Sequence, residues 1–459
     1  SFVSGPRTQL VLLGRAWLNR ELPEELKRES VFVALLSQLD EFEEIGNFLN
    51  ADSDLKIREN LRAKGIQEYL LHPLSLEDLK RTAHLAEQRW RAKEYLVCDT
   101  LGRGATGVVH RVKRLRDGQH FALKEIPTRQ MRGKARASLE LEVQLMQLLS
   151  WPSLVSLEEA WENRSQKLQY IVMPVLEGGS LKDLISASQK NLMDLARMES
   201  DTSVASSTSG AETGTESVKS KGSDGESFSS RSIRSSHVPS WYAQCLHGLV
   251  YLHHKGILHR DVKPDNILVS SGARILQLCD FGSALRLPGH IHNLKEAYVV
   301  AQIATPLYAA PETVGLQRNF PATDLWSLGV TFYEVLTLKT IIPEYAYGKQ
   351  DLIEFLGSLA TPGSGSEESR RALAEAIEEL EDAPFQQDKR FMDELLMLLE
   401  VDPARRPLAA ELAQRPENLK ALRAGLEAHK SINLQVHMTE YRHIISHALN
   451  PTATGVVSM

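Results

Sequence analysis

The stretch His259–Asn266, which reads HRDVKPDN, decides the fold of this chain. It holds an acid at Asp261, a lysine two residues later and an amide at Asn266, and the triplet Asp280–Gly282 follows a little further on. An acid, a base and an amide at this spacing, followed by a second acid, are the groups that hold a metal-bound triphosphate beside a hydroxyl nucleophile. The stretch therefore predicts a phosphoryl-transfer site, whose other parts are expected elsewhere in the chain.

The length and composition are typical of a globular protein with several folded units. With 459 residues the chain is too long for one ordinary core, so we expect two or three units. Hydrophobic residues make up 42% and charged residues 24%, which are ordinary proportions. The formal net charge of -6 gives no reason to expect nucleic acid or an acidic membrane as the main partner.

The cysteines and the hydropathy point to a reducing compartment. Cys98, Cys245 and Cys279 are widely spaced and form no CxxC pair, so neither a disulfide framework nor a zinc site is indicated. No apolar run approaches the roughly 18–20 residues needed to span a bilayer. We therefore expect no membrane span and a cytoplasmic location, with the nucleus as an alternative.

Residues 1–90 form a pattern of their own. Apolar runs at Leu10–Leu13, Val31–Leu36 and Ile66–Leu71 have the length of buried strands. Charged, helix-forming stretches lie between and after them. This alternation predicts a small α/β unit with parallel strands.

The end of this unit, Ala63–Leu79, resembles the last strand and helix of a response-regulator receiver domain. His72 stands where that family has a lysine before a proline, and the strand expected to carry the phosphate-accepting aspartate ends in Leu13–Gly14 without an acid. The acidic pair of the family's first strand is absent. The resemblance implies a degenerate, receiver-like domain that cannot take phosphate and that offers a site for a regulatory protein partner. An unrelated α/β docking domain is the alternative.

A glycine-rich turn at Leu101–Val109 joins two strand-like runs. Its glycines, Gly102, Gly104 and Gly107, permit close backbone approach, so such a hairpin can fold over phosphates and donate backbone N–H groups to them. A GxGxxG pattern alone also fits a dinucleotide-binding fingerprint. Here a strand pattern follows instead of a helix, which argues against that alternative.

Lys124 lies in an apolar strand, where a lysine is costly unless it is paired. The following helical pattern offers Glu140 and Glu142 as partners. Glu142 has the better register because it leaves the helix an apolar stripe. The alternative for Glu142 is an ordinary surface carboxylate.

A hinge and an insert separate the two halves of the pattern. The strand Tyr170–Met173 leads to Gly178–Gly179, which suits a hinge between lobes. Residues 186–238 are dominated by Ser, Thr, Gly, Glu and Lys, and they predict a disordered insert. Serines beside arginines in Ser229–Ser236 fit either a phosphorylation-regulated insert or a tolerated surface loop.

The second half returns to ordered patterns. An amphipathic helix at Trp241–His253 leads into the opening stretch, and Asp324–Val330 begins a strongly apolar helix, expected to be the buried axis of a lower lobe. Leu398–Pro407 closes this region. The tail from residue 421 to 459 offers no motif.

Together these motifs make residues 95–415 similar to a eukaryotic protein kinase. Within that family, Ala122–Ile126, Glu142–Met146 and the strand ending at Met173 most resemble NIMA-related kinases. The resemblance implies an ATP-dependent serine/threonine kinase that acts on protein hydroxyls with Mg²⁺.

The implied fold is an α+β bilobal protein-kinase fold over residues 95–420, preceded by the small α/β unit. A β-rich N-lobe is expected over residues 95–174 and an α-rich C-lobe over residues 177–420.

The resemblance also implies the role of each site residue. Lys124 should hold the α- and β-phosphates and be oriented by Glu142. Asp261 should accept or orient the substrate hydroxyl, and Lys263 should neutralise the transferred phosphoryl group. Phosphoryl transfer is catalysed mainly by positioning and charge neutralisation, which suits these side chains. Lys263 and Thr305 are typical of serine/threonine rather than tyrosine kinases.

Magnesium and the nucleotide are expected at a further set of positions. Asp280 and Asn266 should hold Mg²⁺, because this ion prefers oxygen ligands. The ATP-binding positions are Leu101, Gly102, Gly104, Gly107, Val109, Ala122, Lys124, Met173, Val175, Leu176 and Leu268. Glu312 is expected to pair with Arg406 in a structural role.

The loop before Thr305 departs from many relatives. Between residues 281 and 304 only Ser283 and Tyr298 carry hydroxyl groups, and Ala301 stands where many relatives have a phosphoacceptor. We therefore expect activity that does not depend on serine/threonine phosphorylation of this loop. Arg260 is the residue that would receive such a phosphate.

Two other classes of protein fit the sequence less well than a kinase. A pseudokinase scaffold would need a broken Lys124, Asp261, Asn266 or Asp280, and all four are intact. A phosphorelay protein would need the acids that the first 90 residues lack.

Overall fold

The computed structural model describes residues 9–14, 31–38, 68–72, 94–104, 106–164, 166–205, 232–288, 294–300, 305–361, 366–429 and 432–449. The chain divides into two compact units. The first comprises Ser1–Met131 with Leu157–Val175, and the second comprises Arg132–Ser156 with Leu176–Met459.

A parallel sheet begins the first unit. Its strands are β1 (Gln9–Gly14), β2 (Val31–Gln38) and β3 (Glu68–His72), in that order. Leu10 lies opposite Phe32, and Leu36 lies opposite Leu70. The prediction of parallel strands at these three places is confirmed, and the helical stretches predicted around them lie outside the described residues.

A five-stranded antiparallel sheet follows in the same unit. Its strands, in the order β4-β5-β6-β8-β7, are β4 (Tyr95–Arg103), β5 (Val108–Arg114), β6 (His120–Pro127), β7 (Glu159–Asn163) and β8 (Leu168–Pro174). Alternate residues of a strand point to opposite faces, so Phe121 and Leu123 share one face of β6 while Lys124 belongs to the other. Phe121 and Leu123 pack with Tyr95 and Trp161 in a buried cluster.

Eleven helices are described in the second unit. They are α1 (Lys134–Leu148), α2 (Leu181–Ala205), α3 (Val238–His254), α4 (Pro311–Leu316), α5 (Pro321–Thr337), α6 (Lys349–Ala360), α7 (Ser366–Glu378), α8 (Lys389–Leu398), α9 (Ala409–Ala413), α10 (Pro416–Leu426) and α11 (Leu434–Leu449). Every residue of α5 is buried, which confirms the predicted helical axis. The expected boundary at residue 420 falls inside α10. In the described part of the chain no helix is long and apolar enough to cross a bilayer.

Short strands frame the HRDVKPDN stretch. β9 (Ile257–Leu258) pairs with β12 (Leu285–Arg286), β10 (Ile267–Val269) pairs with β11 (Leu276–Leu278), and β13 (Val299–Val300) pairs with β14 (Arg318–Asn319). The stretch therefore lies between β9 and β10, and the Asp-Phe-Gly triplet lies between β11 and β12.

The prediction of a disordered insert over residues 186–238 was wrong at both ends. Helix α2 continues to Ala205, and the buried residues at its start recur at helical spacing, with Leu184 and Ser188 one turn apart on the packed face. At the other end the backbone N–H of Ile233 donates to the Ser188 hydroxyl at 2.9 Å, and the Ile233 side chain is buried. Residues 206–231 of the insert lie outside the described residues.

A buried ion pair joins the end of the domain to α4. Arg406 donates from its two terminal nitrogens to the two carboxylate oxygens of Glu312, at 2.7 and 2.8 Å, and also to the carbonyl of Ala322 at 3.0 Å. The side chains are 0% and 2% exposed. This confirms the predicted pairing, and the bidentate geometry satisfies charges that would be costly to leave alone in the interior.

Replacing Arg406 by Ala should lower the free energy of unfolding by about 3–5 kcal/mol, because it leaves the Glu312 carboxylate buried without its cation. Urea denaturation followed by tryptophan fluorescence measures this change. The neighbouring Arg405 is the matched control, since its side chain is 74% exposed and lies 3.9 Å from Asp402. Arg405→Ala should cost about 0.5 kcal/mol or less. Equal losses in the two variants would contradict the role given to the buried pair.

Candidate active site

The backbone of the HRDVKPDN stretch is held by one buried carboxylate, that of Asp324 at the start of α5. The backbone N–H groups of His259 and Arg260 donate to its two oxygens, at 3.0 and 2.7 Å, and His253 Nε2 lies 2.8 Å from one of them. Burial opposes ionisation of Asp324, but the hydrogen bonds and the charge of His253 outweigh it and lower the pKa of the carboxyl group. An ionised Asp324 therefore fixes the entry to the stretch.

Sequence reasoning missed this role of Asp324. The available signal was an acid followed directly by a run of buried apolar residues, because such an acid must find hydrogen-bond partners in the interior. The identity of those partners, about 65 residues away, was not readable from the spacing.

Four predicted residues meet at the Asp261 carboxylate. Thr305 Oγ1 donates to one carboxylate oxygen at 2.5 Å. The other oxygen accepts from Lys263 Nζ at 2.7 Å and from Asn266 Nδ2 at 2.8 Å. Lys263 Nζ also lies 2.8 Å from Thr305 Oγ1. The carboxylate is thus oriented by one cation, one hydroxyl and one amide.

The β10–β11 hairpin brings the two predicted metal ligands to one place. Ile267, the residue after Asn266, pairs with Leu278, and the backbone N–H of Cys279 donates to the Asn266 carbonyl at 2.9 Å. Asp280 follows immediately, in a left-handed conformation with φ of 63°. Its carboxylate accepts from the N–H of Gly282 at 3.4 Å.

The chemistry of these donors fits a magnesium ion. The Asn266 side-chain nitrogen is held by the Asp261 carboxylate and by the Asp261 carbonyl, at 2.8 Å each. The Asn266 amide oxygen is then the atom that can face a cation. One amide oxygen and the Asp280 carboxylate, completed by phosphates and water, are the hard oxygen ligands that Mg²⁺ prefers.

Glu142 lies on the buried face of α1. This helix packs against the Asp-Phe-Gly turn, and a Cβ placed at Gly282 would lie 3.4 Å from Glu142 Oε2. Because the side chain is only 4% exposed, Glu142 is not an ordinary surface carboxylate. Its predicted partnership with Lys124 stays a prediction.

The first unit holds the glycine-rich turn and Lys124. Gly102 lies opposite Val109 in the β4–β5 pairing, and the N–H of Gly104 donates to the Gly107 carbonyl at 2.9 Å. On β6, Lys124 lies opposite Val109 on one side and opposite Ile171 on the other, and it is buried. The hairpin that could cover phosphates and the strand that bears the lysine are therefore neighbours in one sheet.

The remaining predicted nucleotide contacts are divided between the units. In the first unit Ala122 lies opposite Met173 and both are buried, Val175 is half-buried, and Leu101 is exposed. Leu176 and Leu268 lie in the second unit, where both are half-buried. Their roles at a nucleotide stay predictions.

Comparison with known proteins settles the family. The model of the protein kinase domain matches residues 95–204 and 216–416, well over half of the chain. The chain belongs to the protein kinase family.

Individual kinases match over the same region. Serine/threonine-protein kinase Nek4 of Mus musculus is 28% identical over 258 residues, which are 56% of this chain and 26% of that protein. Serine/threonine-protein kinase Nek8 of Danio rerio is 30% identical over 248 residues, 54% of this chain and 29% of that protein. Mitogen-activated protein kinase 19 of Arabidopsis thaliana is 28% identical over 342 residues, 71% of this chain and 49% of that protein.

These matches confirm the resemblance to NIMA-related serine/threonine kinases that the motifs indicated. The kinase chain spans less than a third of the length of the two Nek proteins that it matches.

A groove of about 1060 Å³ lies in the second unit. It is lined by α2, the end of α5, the loop over residues 339–347 and α7. Tyr308 lines this groove and also a smaller cavity that includes Asp261 and Thr305. The Tyr308 hydroxyl donates to Glu334 at 2.7 Å, and burial, with the Glu334 charge, raises the pKa of Tyr308 well above its usual value. The side chain is therefore a fixed, neutral wall between the two spaces.

Replacing Gly107 by Ala should lower the free energy of unfolding by about 1–3 kcal/mol, because an added methyl group would overlap the backbone carbonyl of Glu125 on β6. Gly104→Ala is the matched control in the same turn, since a methyl group there meets nothing within 4 Å. It should change the free energy of unfolding by about 0.5 kcal/mol or less. Urea denaturation measures both, and a loss at Gly104 as large as that at Gly107 would contradict the packing argument.

Proposed function

We propose that this protein is an ATP-dependent serine/threonine protein kinase, of the non-specific class, that transfers the γ-phosphoryl group of magnesium-ATP to hydroxyl groups of proteins. The single observation that carries the proposal is the Asp261 carboxylate, held by Lys263, Asn266 and Thr305 at 2.5–2.8 Å. Membership of the kinase family supports the same conclusion.

In the proposed reaction Asp261 orients the attacking hydroxyl and accepts its proton. The oxygen that now accepts from Thr305 is the one that a substrate hydroxyl would approach. Lys263 provides a positive charge next to this carboxylate and neutralises charge on the phosphoryl group in flight. Both side chains act by position, as expected for a loose transition state with charge spread over oxygens.

Asp280 and Asn266 are proposed to hold magnesium. A bound ion would supply positive charge against the charge that develops on the phosphate oxygens. On the nucleotide side, Lys124 is proposed to hold the α- and β-phosphates with Glu142 as its orienting partner. The nitrogen of the Asn266 amide, anchored on Asp261, links the metal position to the proton-accepting group.

Lys263 together with Thr305 favours serine and threonine acceptors over tyrosine. The contact between the two, 2.8 Å from Nζ to Oγ1, supports this reading. The substrate protein is proposed to extend from Asp261 along Tyr308 into the groove beside α2 and α7, which is lined by exposed aromatic and acidic side chains.

A pseudokinase scaffold is the alternative function. It is disfavoured because Lys124, Asp261, Asn266 and Asp280 are all present. The N-terminal strands allow a scaffold role in addition to catalysis. Their parallel order, β1-β2-β3, is the order of the last three strands in the 2-1-3-4-5 sheet of receiver-type folds. We propose a degenerate receiver-like unit there that binds a regulatory protein.

A cytoplasmic or nuclear location is proposed from the cysteines. Cys98, Cys245 and Cys279 form no disulfide, which is usual for proteins of reducing compartments.

Asp261→Asn should lower kcat for phosphorylation of a generic protein substrate by about 10²–10⁴-fold, because the amide cannot accept the hydroxyl proton. Asp265→Asn is the matched control, an exposed acid in the same stretch, and it should keep the wild-type rate. Transfer of labelled phosphate from magnesium-ATP measures both. Asp280→Asn, or removal of Mg²⁺ with EDTA, should also abolish transfer. A wild-type rate no higher than that of Asp280→Asn would leave the scaffold as the better function.

The double variant Ser283→Ala with Tyr298→Phe should keep activity within about twofold of wild type, since surface changes away from the reacting groups have small effects. Arg260 already donates to the Ser283 carbonyl at 3.1 Å and to Asn319 at 3.2 Å, so its guanidinium has partners in the protein without a phosphate. Steady-state kinetics and mapping of phosphates on the active enzyme test this. An essential phosphate between residues 281 and 304 would show the expectation to be wrong.

A further inference from the structure

The C-terminal helix α11 lies beyond residue 416, where the match to the kinase domain ends. It packs against α3 and α9 and buries one face, with Met438, Tyr441 and Ile445 inside. The exposed face carries Val436, which is 63% exposed. This helix is therefore a docked addition to the kinase domain, and its buried face decides what it can influence.

Trp151 is a contact of that face. It follows the end of α1 by three residues and is 6% exposed. Its ring stacks on Tyr251 of α3, with centroids 4.4 Å apart, and meets the His437 ring of α11 at 4.4 Å and the Tyr441 ring at 6.2 Å. The indole N–H donates to the His247 carbonyl at 3.2 Å. The indole thus lies in an aromatic box that α3 and α11 build together.

Two hydrogen-bonded histidines join α11 to Ser153, which lies two residues after Trp151. His437 Nε2 lies 2.9 Å from His247 Nε2, and His247 Nδ1 lies 2.8 Å from the Ser153 hydroxyl. Burial lowers the pKa of both imidazoles, so they are neutral at pH 7 and one ring can donate to the other. The ring of His429 adds a hydrogen bond to the backbone of Pro152.

The opposite side of this segment contacts the strand that leads to Asp280. The N–H of Leu278 donates to the Ser153 carbonyl and the N–H of Val155 donates to the Leu278 carbonyl, both at 2.9 Å. Gln277 Nε2 adds a bond to the Pro152 carbonyl at 2.8 Å. Residues 151–155 are therefore held between α11 on one side and β11 on the other.

The proposed magnesium ligand Asp280 and the proposed partner of Lys124, Glu142, are both close in sequence to elements that contact residues 151–155. Asp280 stands two residues after Leu278, at the end of β11. Glu142 lies on α1, whose last residue precedes Trp151 by three positions. Movement of residues 151–155 would therefore shift the carboxylates on both elements, because short, packed connections leave little freedom to absorb it.

We propose that α11 is a positioning element of the kinase site, acting through His437 and Tyr441 on residues 151–155 and thereby on Asp280 and Glu142. This inference rests on the proposed kinase function. It adds that a helix outside the family's common domain controls the rate of that kinase. Neither His437 nor Tyr441 touches the reacting atoms, so both are positioning residues.

The test uses His437→Ala in the full chain, with Val436→Ala as the matched control on the exposed face of the same helix. His437→Ala should lower kcat by between about 5-fold and 150-fold, the usual range of coupling between two sites, while KM for the protein substrate stays unchanged. Val436→Ala should leave both constants at the wild-type value. His437→Gln should recover most of the rate, because its amide can still hydrogen-bond His247.

Amide hydrogen exchange separates positioning from simple packing of the helix. In His437→Ala, exchange should become faster within residues 434–449 and also at Val155 and Leu278. The N–H groups of these two residues form the hydrogen bonds between residues 151–155 and β11. Quicker exchange confined to residues 434–449, with kcat unchanged, would overturn the proposal. This readout needs no activity: an inactive wild type with exchange spreading to Leu278 would refute the kinase function and uphold the coupling.

Discussion

The Asp324 carboxylate is the constraint on which the candidate site depends. A fully buried charge is stable only when its hydrogen-bonding capacity is satisfied, and Asp324 is satisfied by two backbone N–H groups and by His253. Because those N–H groups belong to the two residues before Asp261, satisfying the charge also fixes the position of the proposed proton acceptor. The hydrogen bonds that stabilise the buried Asp324 charge are therefore the same ones that set the geometry of the candidate site.

Two uncommon backbone conformations lie at the candidate site. Arg260 and Asp280 both have positive φ, 66° and 63°, although neither is glycine. Such conformations cost free energy and persist only where the surroundings enforce them. Arg260 is enforced by the Asp324 contact to its own N–H. Asp280 lies between the β11 pairing and the carboxylate contact to Gly282. Arg260 directly precedes Asp261, and Asp280 is a proposed magnesium ligand, so both uncommon conformations lie at the candidate site.

Local spacing made the centre of the site predictable. Asp261, Lys263 and Asn266 lie within six residues of each other, so their types and order already indicated a shared role, and the buried axis α5 was readable from its apolar run. Contacts over long separations were not readable. His247 and His437 stand 190 residues apart, and nothing in either neighbourhood marks them among the 15 histidines of the chain. The insert was misjudged for a related reason, because average composition does not reveal the helical residues of α2 or the contact of Ile233 with Ser188.

The elements that carry the reacting groups are too short to hold themselves. β10 and β11 have three residues each, and the turns at residues 264–266 and 281–283 are single 3-10 turns. Elements of this length gain little from their own hydrogen bonds, and their order has to come from what they pack against. The buried helices α3 and α5 supply one side of that packing. β11 also forms hydrogen bonds with residues 151–155. Trp151 of that segment packs in turn against Tyr251 of α3 and His437 of α11. The precision of the proposed magnesium position therefore depends on several packed layers of elements, and helix α11 is the outermost of them.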